Sequence, residues 1–325
     1  MIGMKTAFIT GITGQDGSYL AEFLLGKGYE VHGLTRQFSG RAEVALPRLR
    51  HVLDKINLHI GDLSDQMVAR ELVEHIKPDE VYHLATKHEV GITVDEYIAT
   101  RSIDVDATLY FLGAIAELRP KCRFFYASSS NVFGSPSSSP QNEKTIFNPH
   151  SIYGISKVSS MHLVRMFRSK RQLFACSGIL YNHESPRRDL FFLPRKITST
   201  AAKIKLGLEK VLVLGELDAR RDWGYAGDFV EAMWLMLQAD KPQDYVIGTG
   251  ETYSVRDLLD IVVGYLGMDW AQYVKVDGAL IRPKGSIEIV ADISEIQRDL
   301  GWAPKTKLED MMKMMVQEDI KLSQI

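Results

Sequence analysis

Residues 10–17 read Thr-Gly-Ile-Thr-Gly-Gln-Asp-Gly. The apolar run at residues 6–9 predicts a buried strand before them, and residues 18–25 carry apolar side chains at helical spacing after them. A tight glycine turn between a strand and a helix directs backbone N–H groups and a helix N-terminus at a pyrophosphate. Glycines are needed there because a side chain would keep the phosphates away from the backbone, or the helix away from the strand. The stretch therefore predicts a dinucleotide-binding turn, with a purely structural strand-to-helix turn as the alternative.

The composition is ordinary for a globular protein in water. The chain has 325 residues, 45% of them hydrophobic and 25% charged, which favours one large domain or two closely packed ones. The net charge of −2 gives no reason to expect nucleic acid or an anionic membrane as a partner. No apolar run approaches the roughly 18 residues of a membrane-spanning helix, and no leader pattern opens the chain, so we expect a cytoplasmic protein. Cys122 and Cys176 have no metal-ligand spacing and are expected to pack as small hydrophobic side chains, and we expect no metal site.

Predicted strands and helices alternate through the first half of the chain. Beyond the glycine turn, the apolar patterns predict strands at 29–34, 56–60, 80–85 and 123–127, helices at 66–76 and 104–118, and a loop with a short helix at 38–55. This alternation is typical of an α/β protein with a doubly wound parallel sheet, the Rossmann arrangement.

The alternating pattern weakens past residue 180. We therefore expect an NADP-binding Rossmann domain at residues 1–180 and a smaller, mainly substrate-binding part at 181–325. Residues 210–214 and 244–247 of the second part are expected to return as short strands.

The ends of the second and third predicted strands carry candidate cofactor contacts. An acid at the end of the second strand would hold the ribose hydroxyls of an adenosine, but residues 35–37 read Thr-Arg-Gln. Because an arginine can pair with a 2′-phosphate, Arg36 favours NADP over NAD, and a solvated arginine is the alternative. Asp62 follows the third strand, where it can contact the adenine amino group, cap the helix at 66–76, or do both. The segment at 86–94 follows the fourth strand and is expected to lie over the cofactor.

A tyrosine and a lysine are the candidate catalytic pair. Tyr153 and Lys157 are four residues apart, so they share one face of a helix. An ammonium beside a phenol favours the phenolate, which makes the tyrosine a usable base near neutral pH. Ser129 or Ser130, at the end of the preceding predicted strand, can hydrogen-bond the same substrate hydroxyl. Together with the glycine turn, these residues are the marks of short-chain dehydrogenase/reductase chemistry.

The whole chain resembles the extended branch of that superfamily, which acts on nucleotide sugars. Within this branch it is similar to the GDP-mannose 4,6-dehydratase family. The similarity is most specific in four runs, which are residues 10–25, 178–188, 195–198 and 221–230.

The resemblance implies roles for individual residues. Tyr153 would take the proton of the sugar C4 hydroxyl, and Lys157 would bind the nicotinamide ribose. The cofactor contacts that it implies are Thr10, Gly11, Gly14, Gln15, Asp16, Gly17, Arg36, Asp62, Leu63, Leu84, Tyr153, Lys157, His183 and Arg188. The contacts to the sugar nucleotide that it implies are His88, Asn182, Lys196, Gly215, Arg221 and Arg282.

The sequence departs from the family's pattern around the expected sugar site. The family's strand-end motif reads Ser-Thr-Ser-Glu, and its glutamate removes the C5 proton and helps water to leave from C6. Residues 128–131 read Ser-Ser-Ser-Asn here, and the amide of Asn131 cannot take a proton at neutral pH. Residues 86–90 read Thr-Lys-His-Glu-Val, where the family has approximately Ala-Gln-Ser-His-Val. Gly285 stands at a family glutamate, and the loop at 37–50 also differs.

Three functions are therefore open. The preferred one is an NADP-dependent (NAD is possible) 4,6-dehydratase of a GDP-hexose such as GDP-mannose, with Glu89 or His88 relocated as the C5 acid/base. The second is oxidation or reduction at C4 without elimination, as in 4-dehydrogenases, 4-keto reductases and 4-epimerases, with residues 87–89 as a plain polar loop. The third is a non-catalytic nucleotide-sugar-binding module, against which the retained Ser129, Tyr153 and Lys157 argue. The resemblance also implies a homodimer or homotetramer.

Overall fold

The computed structural model describes residues 3–36, 46–87, 93–280 and 288–324. Thirteen strands lie in these ranges: β1 Thr6–Thr10, β2 Glu30–Thr35, β3 Ile56–Ile60, β4 Glu80–His83, β5 Arg123–Ser129, β6 Ala175–Leu180, β7 Asn182–Glu184, β8 Leu212–Leu214, β9 Arg220–Arg221, β10 Trp223–Tyr225, β11 Tyr245–Ile247, β12 Tyr253–Ser254 and β13 Val274–Val276. Ten α-helices accompany them: α1 Gln15–Gly26, α2 Gln66–Ile76, α3 Val94–Arg101, α4 Ala107–Leu118, α5 Ile152–Arg171, α6 Leu193–Lys205, α7 Ala226–Gln238, α8 Val255–Tyr265, α9 Ser294–Leu300 and α10 Leu308–Ser323.

A seven-stranded sheet forms the centre of the molecule, in the order β11-β6-β5-β4-β1-β2-β3. Every pairing within it is parallel, as predicted. Helix α1 packs against α7, whereas α4 packs against both α2 and α5. The strand order reverses between β1 and β4, and ligands of doubly wound sheets bind in the crevice at such a switch point. The predicted Rossmann arrangement is therefore confirmed.

A second, smaller core lies outside this sheet. Helices α6, α8 and α10 pack together around buried residues that include Ile197, Leu258 and Met312. The later elements α7, β11 and α9 nevertheless belong to the main core, through residues such as Phe229 and Val246. The chain thus passes between the two cores more than once, and the division at residue 180 stays a prediction.

Most predicted elements are present, with shifted ends. Strand β3 and helix α2 have the predicted bounds. The predicted strand at 244–247 is β11 at the edge of the main sheet, and the one at 210–214 is β8. The predicted start of a helix at 104 was wrong, because helical backbone begins at α3, where Thr93 and Glu96 form a reciprocal capping box. The two cysteines are buried, as predicted, and burial raises the pKa of both thiols.

None of the helices in the described ranges is long and apolar enough to cross a membrane.

Candidate active site

The glycine turn lies between β1 and α1, next to the switch point. The backbone N–H of Gly14 donates to the carbonyl of Gly11 over 2.9 Å. Gly11 has a φ of +73°, and a Cβ on it would lie 2.9 Å from the backbone nitrogen of Ala85. A Cβ on Gly17 would lie 2.3 Å from the Gly11 carbonyl oxygen. Gly11 and Gly17 are therefore required by the backbone itself, whereas Gly14, with its nearest neighbour at 3.1 Å, is under weaker packing constraint.

Thr10 ties the ends of β1 and β4 together. Its hydroxyl is 2.9 Å from Nδ1 of His83 and accepts the N–H groups of Leu84 and Ala85 over 3.1 and 3.2 Å. Burial lowers the pKa of His83 to about 3, and the nearby charge of Lys157 adds to this, so the ring is neutral at physiological pH. The Thr10 side chain thus connects the strand ends at the switch point, and its cofactor contact stays a prediction.

Asp16 and His183 join the first turn of α1 to β7. Asp16 Oδ2 is 2.8 Å from Nε2 of His183, and Nδ1 of that ring is 2.7 Å from the carbonyl of Tyr181. Burial alone would lower the pKa of His183, but the Asp16 carboxylate raises it. Burial would likewise raise the pKa of Asp16, but the His183 charge and the hydrogen bond of Gln15 hold it well below its usual range. Asp16 and His183, which are both predicted to contact the cofactor, thus form an ion pair that connects the glycine turn to β7.

Two arginines flank the same turn. Arg188 Nε lies 3.3 Å from Oε2 of Glu184, and its guanidinium lies 3.4 Å from the centre of the Phe192 ring. Arg48 donates to the carbonyl of Thr13 over 3.2 Å and pairs with the carboxylate of Asp189. The sequence patterns did not single out Arg48, because both of its partners are distant in the chain.

Asp62 and Arg36, which are predicted to contact the adenosine end of the cofactor, are both exposed. Asp62 Oδ1 accepts the backbone N–H and the hydroxyl of Ser64 over 2.9 and 2.8 Å. These hydrogen bonds lower the pKa of Asp62, and the charge of Arg36 lowers it further. The alternative that Asp62 caps α2 was wrong, because the side chain of Asp65 accepts from Met67 N at that N-terminus. Leu63 and Leu84 are partly exposed, and the adenine contact stays a prediction.

Lys157 is buried in an ion pair that the sequence patterns missed. Its Nζ lies 3.3 Å from Oδ1 of Asp104 and donates to the carbonyl of Ala127 over 3.0 Å. Asp104 sits in a π-helical turn, Ser102–Asp106, between α3 and α4. Burial alone would lower the pKa of Lys157, but the Asp104 carboxylate raises it above its usual range, so the ammonium stays charged.

Tyr153 and the strand-end serines are brought together by the start of α5. Lys157 Nζ lies 5.3 Å from the centre of the Tyr153 ring, so the pair does share a helix face. A Cβ on Gly154 would lie 2.7 Å from the carbonyl oxygen of Asn131, which shows how closely α5 abuts the turn after β5. The hydroxyl of Ser129 accepts both the backbone N–H and the side-chain amide of Asn131. Tyr153, Lys157 and Ser129 therefore lie near the carboxyl end of β5, and Ser130 beside them is buried.

The side chains predicted to contact the sugar nucleotide donate hydrogen bonds to main-chain carbonyl groups. Lys196 Nζ donates to the carbonyl of Val213 over 2.7 Å, and Arg221 donates to the carbonyl of Arg220 over 2.6 Å. Asn182 Nδ2 donates to the carbonyl of Asp222 over 3.4 Å. Gly215 follows β8 and is partly exposed.

The remaining predicted residues lie outside the described ranges. These are His88, Glu89, Arg282 and Gly285. The idea that Glu89 or His88 acts at C5 therefore stays a prediction.

Comparisons with known proteins identify the family of the chain. The family model described as GDP-mannose 4,6 dehydratase matches residues 8–315. GDP-mannose 4,6 dehydratase 2 of Arabidopsis thaliana is 45% identical over 331 residues, which cover 98% of this chain and 88% of that protein. GDP-mannose 4,6-dehydratase of Vibrio cholerae is 39% identical over 356 residues, which cover 98% of this chain and 95% of that protein.

A solved structure shows the same fold. The dTDP-glucose 4,6-dehydratase of Bacillus anthracis, in complex with NAD, superposes with a TM-score of 0.85 at 18% identity and covers 98% of both chains. The matched family model and the long, highly covered alignments extend over both cores of the molecule. The chain therefore belongs to the GDP-mannose 4,6-dehydratase family.

Proposed function

We propose that this protein is a GDP-mannose 4,6-dehydratase that uses NADP. The observation that carries the proposal is the similarity to enzymes of that name over 98% of the chain. The assembled Tyr153, Lys157 and Ser129 support it, because C4 oxidation needs a base, a charged partner and a hydrogen-bonding hydroxyl.

The residues around the glycine turn fit a dinucleotide. Gly14 is the N-cap of α1 and offers no side-chain cap, so the first N–H groups of the helix are left for a phosphate. Gly11, Gly14 and Gly17 would hold the pyrophosphate, and Arg36 would pair with a 2′-phosphate. A bound dinucleotide would supply hydride acceptance at C4 of the sugar and hydride return at C6. The turn fits a nicotinamide dinucleotide of either kind, and the choice of NADP rests on Arg36. Arg36→Ala is therefore expected to weaken binding of NADP but not of NAD.

The chain's own residues carry the proton steps. Tyr153 takes the proton of the C4 hydroxyl, and Ser129 hydrogen-bonds the same oxygen. The charge of Lys157 lies beside the ring of Tyr153, and Asp104 keeps that charge in place. Elimination then removes a proton from C5 and hydroxide from C6 as water. Asn131 cannot take the C5 proton, which leaves Glu89 or His88 for that step.

A second candidate function is oxidation or reduction at C4 without loss of water. The observation that favours this second function is the amide of Asn131, which donates a hydrogen bond to Ser129 and has no basic site. Dehydrogenation, 4-keto reduction and 4-epimerisation all need the tyrosine, the lysine and the serine, but not an acid at position 131.

One experiment separates these functions. The purified protein is incubated with GDP-mannose and NADP, and the sugar nucleotides are followed by mass spectrometry. Loss of the mass of one water without net NADPH formation supports dehydration. A mass change without loss of water, or a new sugar nucleotide of unchanged mass that separates by chromatography, supports the second candidate. Unchanged substrate in all trials, with Tyr153→Phe identical to the parent protein, would support a non-catalytic binding module instead.

An apolar surface on two adjacent helices supports a homo-oligomer. Val94 and Ile98 on α3 are 73% and 52% exposed, and Ile155 on α5, against which α3 packs, is 45% exposed. Exposed apolar clusters of this kind mark contact surfaces. We propose that a second copy of the chain covers them in a homodimer or homotetramer. Ile98→Glu is expected to shift the mass measured by light scattering towards the monomer, and an unchanged mass would overturn this.

A further inference from the structure

Two donors from one residue converge on the hydroxyl of Ser129. The backbone N–H of Asn131 lies 3.3 Å from Ser129 Oγ, and its side-chain Nδ2 lies 3.1 Å from the same oxygen. A serine hydroxyl has one proton to donate and two lone pairs that accept. Because Asn131 occupies both lone pairs, the hydroxyl proton has to point to another acceptor.

The turn that carries Asn131 is fixed against the catalytic helix. Asn131 lies in the short 3-10 turn Ser130–Val132 that follows β5. Its carbonyl oxygen is so close to Gly154 that a Cβ there would lie only 2.7 Å away. Gly154 follows Tyr153 directly, so the backbone position of Asn131 is tied to that of the tyrosine. Asn131 is exposed, whereas Ser129, to which it donates, is buried.

We propose that Asn131 is a positioning residue that makes Ser129 a hydrogen-bond donor to the oxygen at C4 of the sugar. During C4 oxidation, Tyr153 takes the hydroxyl proton and the C4–H bond breaks, with its electron pair passing as hydride to the nicotinamide. The oxygen that becomes the C4 carbonyl gains electron density during this step, and an aligned O–H donor stabilises it. The proposal rests on the proposed function only as far as C4 oxidation, which dehydration and the second candidate share.

The donor character of the amide is the decisive property. An ionised carboxylate at position 131 can only accept hydrogen bonds, so it would draw the Ser129 proton to itself and away from the sugar. Asn131→Asp keeps the size of the side chain and reverses this hydrogen bond. Asn131→Ala removes the side-chain donor but keeps the backbone donor.

The test follows C4 directly, with GDP-mannose that carries deuterium at C4. Its loss from C4 is measured by mass spectrometry and NMR in single turnovers, at saturating NADP. We expect Asn131→Ala to slow this loss about tenfold, as for one hydrogen bond lost in the transition state, with KM changed less than about twofold. We expect Asn131→Asp to be slower than Asn131→Ala. In a Ser129→Ala background, both substitutions are expected to have no further effect, because their target is gone.

Each outcome bears on one claim. Equal slowing by Asn131→Ala with and without Ser129, or a rise in KM with unchanged kcat, would overturn the positioning role. A faster Asn131→Asp than Asn131→Ala would overturn the donor mechanism. Deuterium that leaves C4 without loss of water overturns dehydration but leaves the role of Asn131 standing. Deuterium that stays at C4 of a sugar whose C4 configuration is unchanged overturns both, whereas deuterium that stays at an inverted C4 shows 4-epimerisation and overturns dehydration only. Circular dichroism and NADP binding of each variant control for its fold.

Discussion

The cation of the predicted catalytic site and the cations predicted to bind the diphosphate are held in different ways. Lys157, beside the main sheet, is buried against the carboxylate of Asp104, with 3.3 Å between Nζ and Oδ1. Lys196 and Arg221, in the part built around the second core, donate to main-chain carbonyl groups instead. Within the described ranges, neither of these two side chains forms an ion pair with a carboxylate.

This difference distinguishes cations that support folding and catalysis from cations that bind the ligand. A cation balanced by a buried carboxylate is part of the folded core, and its loss leaves an unpaired charge. A cation held only by the partial charge of a carbonyl keeps most of its attraction for an incoming diphosphate. We therefore expect substitutions around Lys157 to change stability and kcat, and substitutions of Arg221 to change KM.

The largest effect is expected at Asp104. Asp104→Ala leaves the Lys157 ammonium buried without its counterion, and removing one partner of a buried pair lowers the free energy of unfolding by about 3–5 kcal/mol. Urea unfolding followed by circular dichroism measures this. Asp104→Asn is the matched control, since its oxygen can still accept from Nζ while the charge is lost. A loss below about 1 kcal/mol for Asp104→Ala would show that the pair is not part of the folded core.

Substitution of Arg221 tests a cation that has no carboxylate partner within the described ranges. Arg221→Ala removes one charge-assisted contact to the diphosphate, worth about 1.5–3 kcal/mol, so KM for GDP-mannose is expected to rise about 10- to 100-fold. The free energy of unfolding is expected to change by less than about 0.5 kcal/mol, because Arg221 is exposed.

The neighbouring Arg220 provides a matched control for Arg221. Its guanidinium lies 3.2 Å from Glu288 and 3.7 Å from Asp257, so carboxylates already balance its charge. Arg220→Ala is therefore expected to leave KM nearly unchanged in steady-state kinetics. Equal rises in KM for both variants would contradict the distinction between balanced and unbalanced cations.

The sequence alone predicted elements whose signals are local. Strand β3 and helix α2 have the predicted bounds because apolar spacing and flanking turn residues define them. Local sequence could not predict whether Asp62 or Asp65 caps α2, because both residues precede the helix. The conformation of the turn between them determines which side chain reaches the helix N-terminus.

Such local patterns could not predict ion pairs between residues that are distant in the chain. Asp104 and Lys157 are separated by 53 positions, and Arg48 and Asp189 by 141. A signal for Asp104 was nevertheless present. It lies at helical spacing from the buried Phe111 and Ile115, and a carboxylate at a core position requires a buried counterion.

A pH experiment tests the link between Asp16 and His183. His183 has a pKa above its ordinary value of 6.5, so its stabilising contribution is complete below that value and is lost as the pH rises through the raised pKa. Asp16 has a pKa below its ordinary value of 3.8, so its contribution is present above that value and is lost only in stronger acid. His183→Asn is expected to lower the free energy of unfolding by about 2 kcal/mol at pH near 6 and by less at pH near 9. In an Asp16→Asn background this dependence on pH should disappear, and its persistence would assign it to another group.

The smallest effect is expected at Arg48, which connects the glycine turn to the segment that leads into α6. Arg48 bonds the carbonyl of Thr13 in the glycine turn and pairs with Asp189 in the segment that leads into α6, which carries Lys196. The Asp189 side chain is 52% exposed, so the pair is expected to contribute less than about 1 kcal/mol to the free energy of unfolding. If the cofactor turn positions Lys196 through this contact, Arg48→Ala and Asp189→Asn should each raise KM for GDP-mannose about twofold to fivefold at saturating NADP. The double variant should show no more than the larger single effect, since both break one contact. Additive rises in KM would mean that the two residues act separately, and that the balanced and the unbalanced cations are not coupled through this pair.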